Sequence, residues 1–319
     1  MAIKGLTKAT ESVRALEENI SLVIFGKQHV VQQALAALLA RGHLLIEDVP
    51  GIGKTTLARA IARSIDCTFQ RIQFTSDLLP SDIIGVTIYN QHTHQFEFKA
   101  GPIFANVILA DEINRTTPKT QSCLLEAMNE MQVSVDSVTY PLPQPFLVLA
   151  TQNPIEFHGT YPLPESQLDR FMLKIRIGYP PSEDEKKMIT GRQLTPPVES
   201  LQPVIHADDV RVMQAMVTEV SVDSALVNYL MAIVEATRHA PAIELGVSPR
   251  GAMNFYRAAQ ANALVMGRDY CVPDDIKEMA VPCLSHRIIP ATRLDVEGPR
   301  TEAAERAIAE ILNQTPVPL

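Results

Sequence analysis

A lysine followed by two hydroxyls, Lys54-Thr55-Thr56, stands directly after Gly51-Ile52-Gly53, an order of residue types suited to holding a polyphosphate. Glycines at 51 and 53 permit backbone angles that residues with a Cβ avoid. Successive N–H groups can then converge on phosphate oxygens at the positive end of a following helix. The Lys54 ammonium would reach the β- and γ-phosphates, the Thr55 hydroxyl would take one position on Mg2+, and Thr56 can bond an α-phosphate oxygen. The pattern G-x-x-x-x-G-K-[ST] is met except at its first position, where Asp48 stands in place of glycine. The expected cradle therefore runs Asp48, Val49, Pro50, Gly51, Ile52, Gly53, Lys54, Thr55, Thr56.

Two carboxylates, Asp111 and Glu112, close the apolar run Val107-Ile108-Leu109-Ala110. A carboxylate at the carboxyl end of a buried parallel strand sits where open α/β sheets bind ligands, so Asp111 is placed to hold Mg2+ through water. Glu112 is then the group to orient and polarise an attacking water. A third apolar run, Phe146 to Ala150, ends in Thr151-Gln152-Asn153-Pro154, which sets the Asn153 amide level with the carboxylates and able to bond the γ-phosphate or the water. Ser248-Pro249 reads as a helix cap with proline at the first helical position. Arg250 lies in that first turn, where the helix dipole favours an acid, so its cationic charge points to a nucleotide phosphate or to a plain surface role.

These groups need a parallel sheet to hold them. Leu44 to Glu47 reads as the strand before the cradle, and Leu57, Ile61 and Ile65 give the helix after it. Thr68 to Phe74 alternates as a second strand, and Leu173 to Ile177 follows as another. Helical spacing runs from about Lys8 to Ile24 and Gln28 to Ala40 ahead of the cradle, and again from Pro118 to Glu130. Val86–Asn90 and Gln95–Lys99 flank His92-Thr93-His94 like the arms of a hairpin, and Val133 to Tyr140 reads as a second hairpin. The two histidines lack a third ligand nearby and read as turn residues. Gly178-Tyr179-Pro180-Pro181 marks a domain boundary, with Ser182 and Glu185 as a capping box. Beyond it the β signals vanish. Helices are expected over about 183–193, 208–219, 223–239, 249–266, 273–286 and 302–313, with Met213, Met216, Met231 and Met253 as core filler. The fold class is thus α/β, a parallel sheet flanked by helices followed by a smaller all-α domain.

Composition narrows the function further. The chain has 319 residues, 46% hydrophobic and 20% charged, which fits a globular protein with a large core and excludes a disordered class. A net charge of -8 disfavours nonspecific binding to polyanions. Cys67, Cys123, Cys271 and Cys283 lack C-x-x-C spacing, which implies neither a zinc site nor a disulfide framework. No segment has the length of a signal peptide core or a membrane span, so a cytoplasmic protein is expected. No [NT]-K-x-D segment occurs, which favours ATP over GTP.

The ordered set Gly51-Ile52-Gly53-Lys54-Thr55, Asp111-Glu112, Asn153, Asp169-Arg170 and Ser248-Pro249-Arg250 resembles that of the AAA+ ATPases. The wording of Glu47-Asp48-Val49-Pro50-Gly51, Asp111-Glu112-Ile113-Asn114-Arg115 and Leu163-Pro164-Glu165-x-Gln167-Leu168-Asp169-Arg170-Phe171 is similar to the MoxR family, from about Ala15 to Asn313. The Asp48 departure is usual there. The resemblance implies a P-loop AAA+ core over 1–180 and a helical lid over 181–319, with a helix-2 insertion at about 76–101 and a pre-sensor-1 hairpin at about 133–145. It makes Asn153 sensor 1, Arg250 sensor 2, and Arg170 an arginine finger acting on a neighbour's γ-phosphate in a hexameric ring, with both hairpins toward the pore. It also implies a chaperone-like role on a client protein. Because the sequence stops at Leu319, a von Willebrand factor A domain partner is expected as a separate chain.

Three alternatives compete. A nucleic-acid motor is disfavoured because 133–145 holds no Lys or Arg and 86–101 only Lys99. A metal-chelatase motor subunit shares the insert-bearing architecture and stays open on sequence. A slow nucleotide switch would not need Glu112. Arg115 either relays subunit contacts or pairs with Glu126 or Glu130.

Overall fold

The computed structural model describes residues 2–154, 159–190, 198–291 and 300–318. Helices α1 (Ala2–Ser21) and α2 (Gln28–Leu39) precede β1 (Leu44–Glu47), which passes through the glycine turn into α3 (Lys54–Ser64). Then come β2 (Phe69–Gln73), a short α4 (Pro80–Ile84), and the hairpin of β3 (Gly85–Asn90) and β4 (Gln95–Ala100). β5 (Val107–Asp111) and α5 (Pro118–Glu130) lead to a second hairpin, β6 (Gln132–Val135) and β7 (Val138–Pro141). β8 (Leu147–Gln152), α6 (Glu165–Leu168) and β9 (Leu173–Ile175) complete the α/β part.

The apolar strands β2, β5, β8, β1 and β9 form one sheet in that order, all parallel. β8 therefore lies between β5 and β1, and Asn153 emerges between the carboxylates and the cradle. Alternation along these strands splits the core into two layers. Leu44, Ile46, Leu109 and Leu149 face α1 to α3, while Leu45, Ile108, Ala110 and Val148 face α5 and the hairpins. Nine of the twelve residues of α2 are buried, because this helix is wedged between the sheet and the helical part that follows. The Gln214 amide caps that junction by donating to the Leu38 carbonyl at 2.8 Å.

The helical part comprises α7 (Ser182–Thr190), α8 (Ala207–Val217), α9 (Ser224–His239), α10 (Pro249–Val265), α11 (Pro273–Leu284) and α12 (Arg300–Gln314). The expected end of this first helix at residue 193 lies outside the described residues. Three expectations need correction. β structure does not vanish here, since β10 (Ile243–Leu245) pairs with β11 (Ile289–Pro290). These strands of three and two residues are too short to leave a periodic signal. Ser182 is the first helical residue rather than the cap, and the Pro181 carbonyl accepts from Asp184 and Glu185. Met253 is also no core filler: it is 67% exposed, two positions and so about half a turn from the buried Phe255.

The two hairpins touch. Phe98 stacks on Tyr140 with ring centroids 4.1 Å apart, while Tyr89 and Phe96 of the first hairpin stay exposed. His92 and His94 sit exposed at its tip, where His94 takes a positive φ of 54°.

Candidate nucleotide site

The cradle begins where β1 ends. Gly51 and Gly53 adopt φ of +85° and +96°, angles at which any side chain would strain the backbone. A Cβ on Gly51 would meet nothing within 4 Å, so the loop presents open backbone to the cleft. Gly53 caps α3, whose first turn is Lys54, Thr55 and Thr56 with no acidic residue. The first-turn N–H groups and the positive end of the dipole thus point to the cleft, an arrangement suited to an anion. The Lys54 ammonium donates to the Asp48 carbonyl at 2.6 Å. Burial lowers its pKa, opposed by the charges of Asp111, Asp48 and Glu112.

Asp48, the residue in place of the usual glycine, turns its side chain away from this cleft. One oxygen accepts from the Val49 N–H at 2.9 Å and the other from the Gly178 N–H at 2.7 Å. Ile52 packs against the core below. Asp48, Val49 and Ile52 therefore shape the loop, and Lys27 braces the same linker by donating to the Tyr179 carbonyl at 2.6 Å.

Asp111 and Glu112 are held by residues that sequence reasoning missed. The Thr151 hydroxyl donates to Asp111 Oδ1 at 2.6 Å and accepts from the Glu112 N–H at 2.9 Å. Arg71 grips Asp111 Oδ2 through Nε at 3.1 Å and Nη2 at 2.6 Å. Gln73 donates to Glu112 Oε2 at 3.0 Å, and Arg115 pairs with the same oxygen at 3.0 Å. Arg115 thus engages Glu112, a partner not expected from the sequence, because the 3-10 turn at Ile113–Arg115 folds it back. Glu112 itself is left-handed, with φ 59° and ψ 51°, a conformation rare for a non-glycine residue. The signal for Arg71 and Gln73 lay in the alternation of β2, which sets both on one face. Only the pairing of Gln73 beside Asp111 makes it meaningful.

A cleft of about 390 Å³ brings Gly51, Gly53, Lys54, Thr55 and Thr56 against Asp111, Glu112 and Asn153, with Pro50, Arg71 and Gln73 on its wall. Asn153 is buried. The two remaining expected residues lie outside this cleft. Arg170 follows α6 and donates through Nη1 to the Leu125 carbonyl of α5 at 2.9 Å, its Nε buried without a partner among the described residues. Arg250 is exposed in the first turn of α10. Ser248 caps that turn as expected, accepting from the Gly251 N–H at 3.0 Å.

A five-stranded parallel sheet with a glycine cradle on its first strand and a helical part behind it defines a P-loop NTPase of the AAA+ build. Residues 43–173 match the family model described as ATPase family associated with various cellular activities, and residues 235–311 match the AAA lid domain. The chain is 50% identical over 302 residues to the uncharacterized protein YeaC of Bacillus subtilis strain 168, covering 95% of this chain and 93% of that one. It is 42% identical over 295 residues to the chaperone MoxR1 of Mycobacterium tuberculosis, covering 90% and 78%. A crystal structure of a candidate ATPase from Cytophaga hutchinsonii superposes with a TM-score of 0.89 at 40% identity, covering 100% of this chain and 98% of that one. The chain belongs to the MoxR family of AAA+ ATPases.

Proposed function

We propose that the protein hydrolyses ATP at the subunit interfaces of a hexameric ring and uses the energy to mature or activate a client protein in the cytoplasm. A separate chain bearing a von Willebrand factor A domain is its partner. In this reading the nucleotide-binding domain spans 1–180 and the lid 181–319. The hairpin β3–β4 belongs to the helix-2 insertion, β6–β7 is the pre-sensor-1 hairpin, and both face the client.

The donor set fits a hard divalent cation, since the Thr55 hydroxyl and the Asp111 carboxylate are oxygen ligands on one cleft wall. When bound, Mg2+ draws off negative charge from the phosphates. The backbone amides of Gly51 to Thr55 bind the β-phosphate and Thr56 the α-phosphate. Lys54 exchanges its bond with the Asp48 carbonyl for the β- and γ-phosphates. Glu112 orients a water and takes its proton, and Asn153 holds that water or the γ-phosphate in line. Arg250 contacts the phosphates when the lid closes. Arg170 completes the neighbour's site, a contribution worth roughly 10³–10⁵ in rate.

The observation that carries this reading is the gathering of Lys54, Thr55, Asp111, Glu112 and Asn153 in one cleft while Arg170 lies outside it. The test is phosphate release as a function of protein concentration. Turnover per subunit should climb steeply as rings assemble. Glu112→Gln should bind ATP without turnover, and Lys54→Ala should lose ATP binding. Undiminished turnover by Lys54→Ala, or by a dilute monomer, would sink the proposal. The exposed Tyr89 and Phe96 and the absence of basic residues on 133–145 favour a protein client over nucleic acid.

A further inference from the structure

Asp169 stands next to Arg170 but points the other way, into the helical part. Its Oδ1 accepts from Arg287 Nε at 2.9 Å, and its Oδ2 accepts from the Ser248 hydroxyl at 3.1 Å. Arg287, in the 3-10 turn after α11, has a side chain only 1% exposed. Its other donors reach the carbonyls of Asp169 at 3.2 Å, Met172 at 3.1 Å, Phe171 and Cys283. One buried guanidinium from the helical part thus holds the backbone on both sides of Arg170.

The same unit reaches α10. Ser248 is the cap of that helix and bonds Asp169 with the hydroxyl that also accepts from the Gly251 N–H. A Cβ on Gly251 would come within 2.8 Å of Arg287 Cδ, so only glycine lets the first turn of α10 lie against Arg287. Arg250 sits in that turn. The Arg170 side chain, by contrast, makes a single hydrogen bond among the described residues, to the Leu125 carbonyl.

From this geometry we infer that Asp169, with Ser248 and Arg287, is a positioning unit that moves Arg170 with the first turn of α10. It makes the arginine offered to the neighbouring subunit depend on whether the donor's own lid has closed on nucleotide. The inference rests on the reading of Arg170 as acting in trans and of Arg250 as contacting phosphate. Charged hydrogen bonds to a buried guanidinium are strong and directional, so the link is short and stiff. A displacement of about 1 Å at a reacting group costs on the order of 10² in rate.

Mixed rings test it. Glu112→Gln subunits cannot turn over ATP but still donate Arg170, and Arg170→Ala subunits keep an intact site but donate nothing. Turnover in the mixture comes from interfaces where the first completes the second. Ser248→Ala or Asp169→Asn placed in the Glu112→Gln donor should cut that turnover by about 100-fold. The donor's ATP affinity, read with a fluorescent ATP analogue, should stay within about threefold. Ser248→Thr, which keeps the hydroxyl, should restore turnover. The same substitutions in the Arg170→Ala partner should leave turnover within a few-fold of the parent mixture. Equal losses in either partner, or full turnover with the altered donor, would overturn the inference. Should Asp169→Asn fail to fold, Ser248→Ala carries the test alone, because it spares the Arg287 pair. A parent mixture with no turnover would instead refute the trans reading of Arg170, and the inference with it.

Discussion

Replacing Thr151 with valine keeps the shape of the side chain and deletes one hydroxyl, which makes it a direct test of how the two carboxylates are held. Thr151 is fully buried at the end of β8. Its hydroxyl serves the Glu112 N–H and Asp111 Oδ1 at once. The substitution leaves a backbone N–H without a partner at a cost of about 1–3 kcal/mol, and removes a hydrogen bond to a carboxylate worth about 1.5–3 kcal/mol. Asp111 keeps Arg71, which offsets part of the second loss. The net destabilisation should be about 2–4 kcal/mol. For a chain of this size that corresponds to a fall in Tm of roughly 3–6 °C. The catalytic effect should exceed the stability effect. Without the bond to Thr151, Glu112 has less to hold it in its left-handed conformation, and if it is the base proposed above, its loss of alignment costs on the order of 10² in kcat. Thermal unfolding and phosphate release at saturating ATP are the two assays, with Thr151→Ser as the control that keeps the hydroxyl. Unchanged Tm and kcat in Thr151→Val would refute the reasoning. A serine variant as impaired as the valine one would show that packing of the methyl group, not the hydrogen bonds, is what matters.

Three other outcomes follow from the same geometry. Under the proposed reading Mg2+ and the half-exposed Arg71 share Asp111, so Arg71→Gln should lower the Mg2+ concentration for half-maximal turnover by about two- to fivefold, measured by Mg2+ titration. His43 is fully buried, accepts from the Val148 N–H at 3.1 Å and bonds the Met128 carbonyl at 3.0 Å, and burial lowers its pKa from 6.5 to about 4. The unfolded chain therefore binds the extra proton first. This contribution is complete above pH 6.5 and is lost as pH falls toward about 4, so Tm should drop across that window and drop less in His43→Gln. His286, also lowered by burial, adds to the same loss. Burial raises the thiols of Cys67 and Cys123 to about 11, so iodoacetamide at pH 8 should label the native protein far more slowly than the unfolded chain, read by mass spectrometry.

Much of the candidate site was legible in the sequence. A lysine and two hydroxyls after paired glycines, and an acid pair closing an apolar strand, are local patterns, and all of those residues line one cleft. The partners of the carboxylates were not legible. Arg71 and Gln73 sit about forty residues before Asp111, in a strand whose alternation shows two faces but not which neighbour it meets. The Glu112 partner of Arg115 was missed for the same reason: subunit contacts or a pair with Glu126 or Glu130 were expected, while a tight turn carries it back to Glu112.

The amino-acid order alone determined the strands of the main sheet, the longer helices and the glycine turn of the candidate cradle, because glycine's freedom, apolar periodicity and helix caps act between residues close in the chain. The tertiary structure decided that β8 lies between β5 and β1, that Thr151 joins Asp111 to Glu112, and that Arg287 reaches Asp169 from more than a hundred residues away. Those contacts depend on which buried faces find each other when the sheet and helices pack. Packing is a property of the assembled core, and no window of sequence contains it.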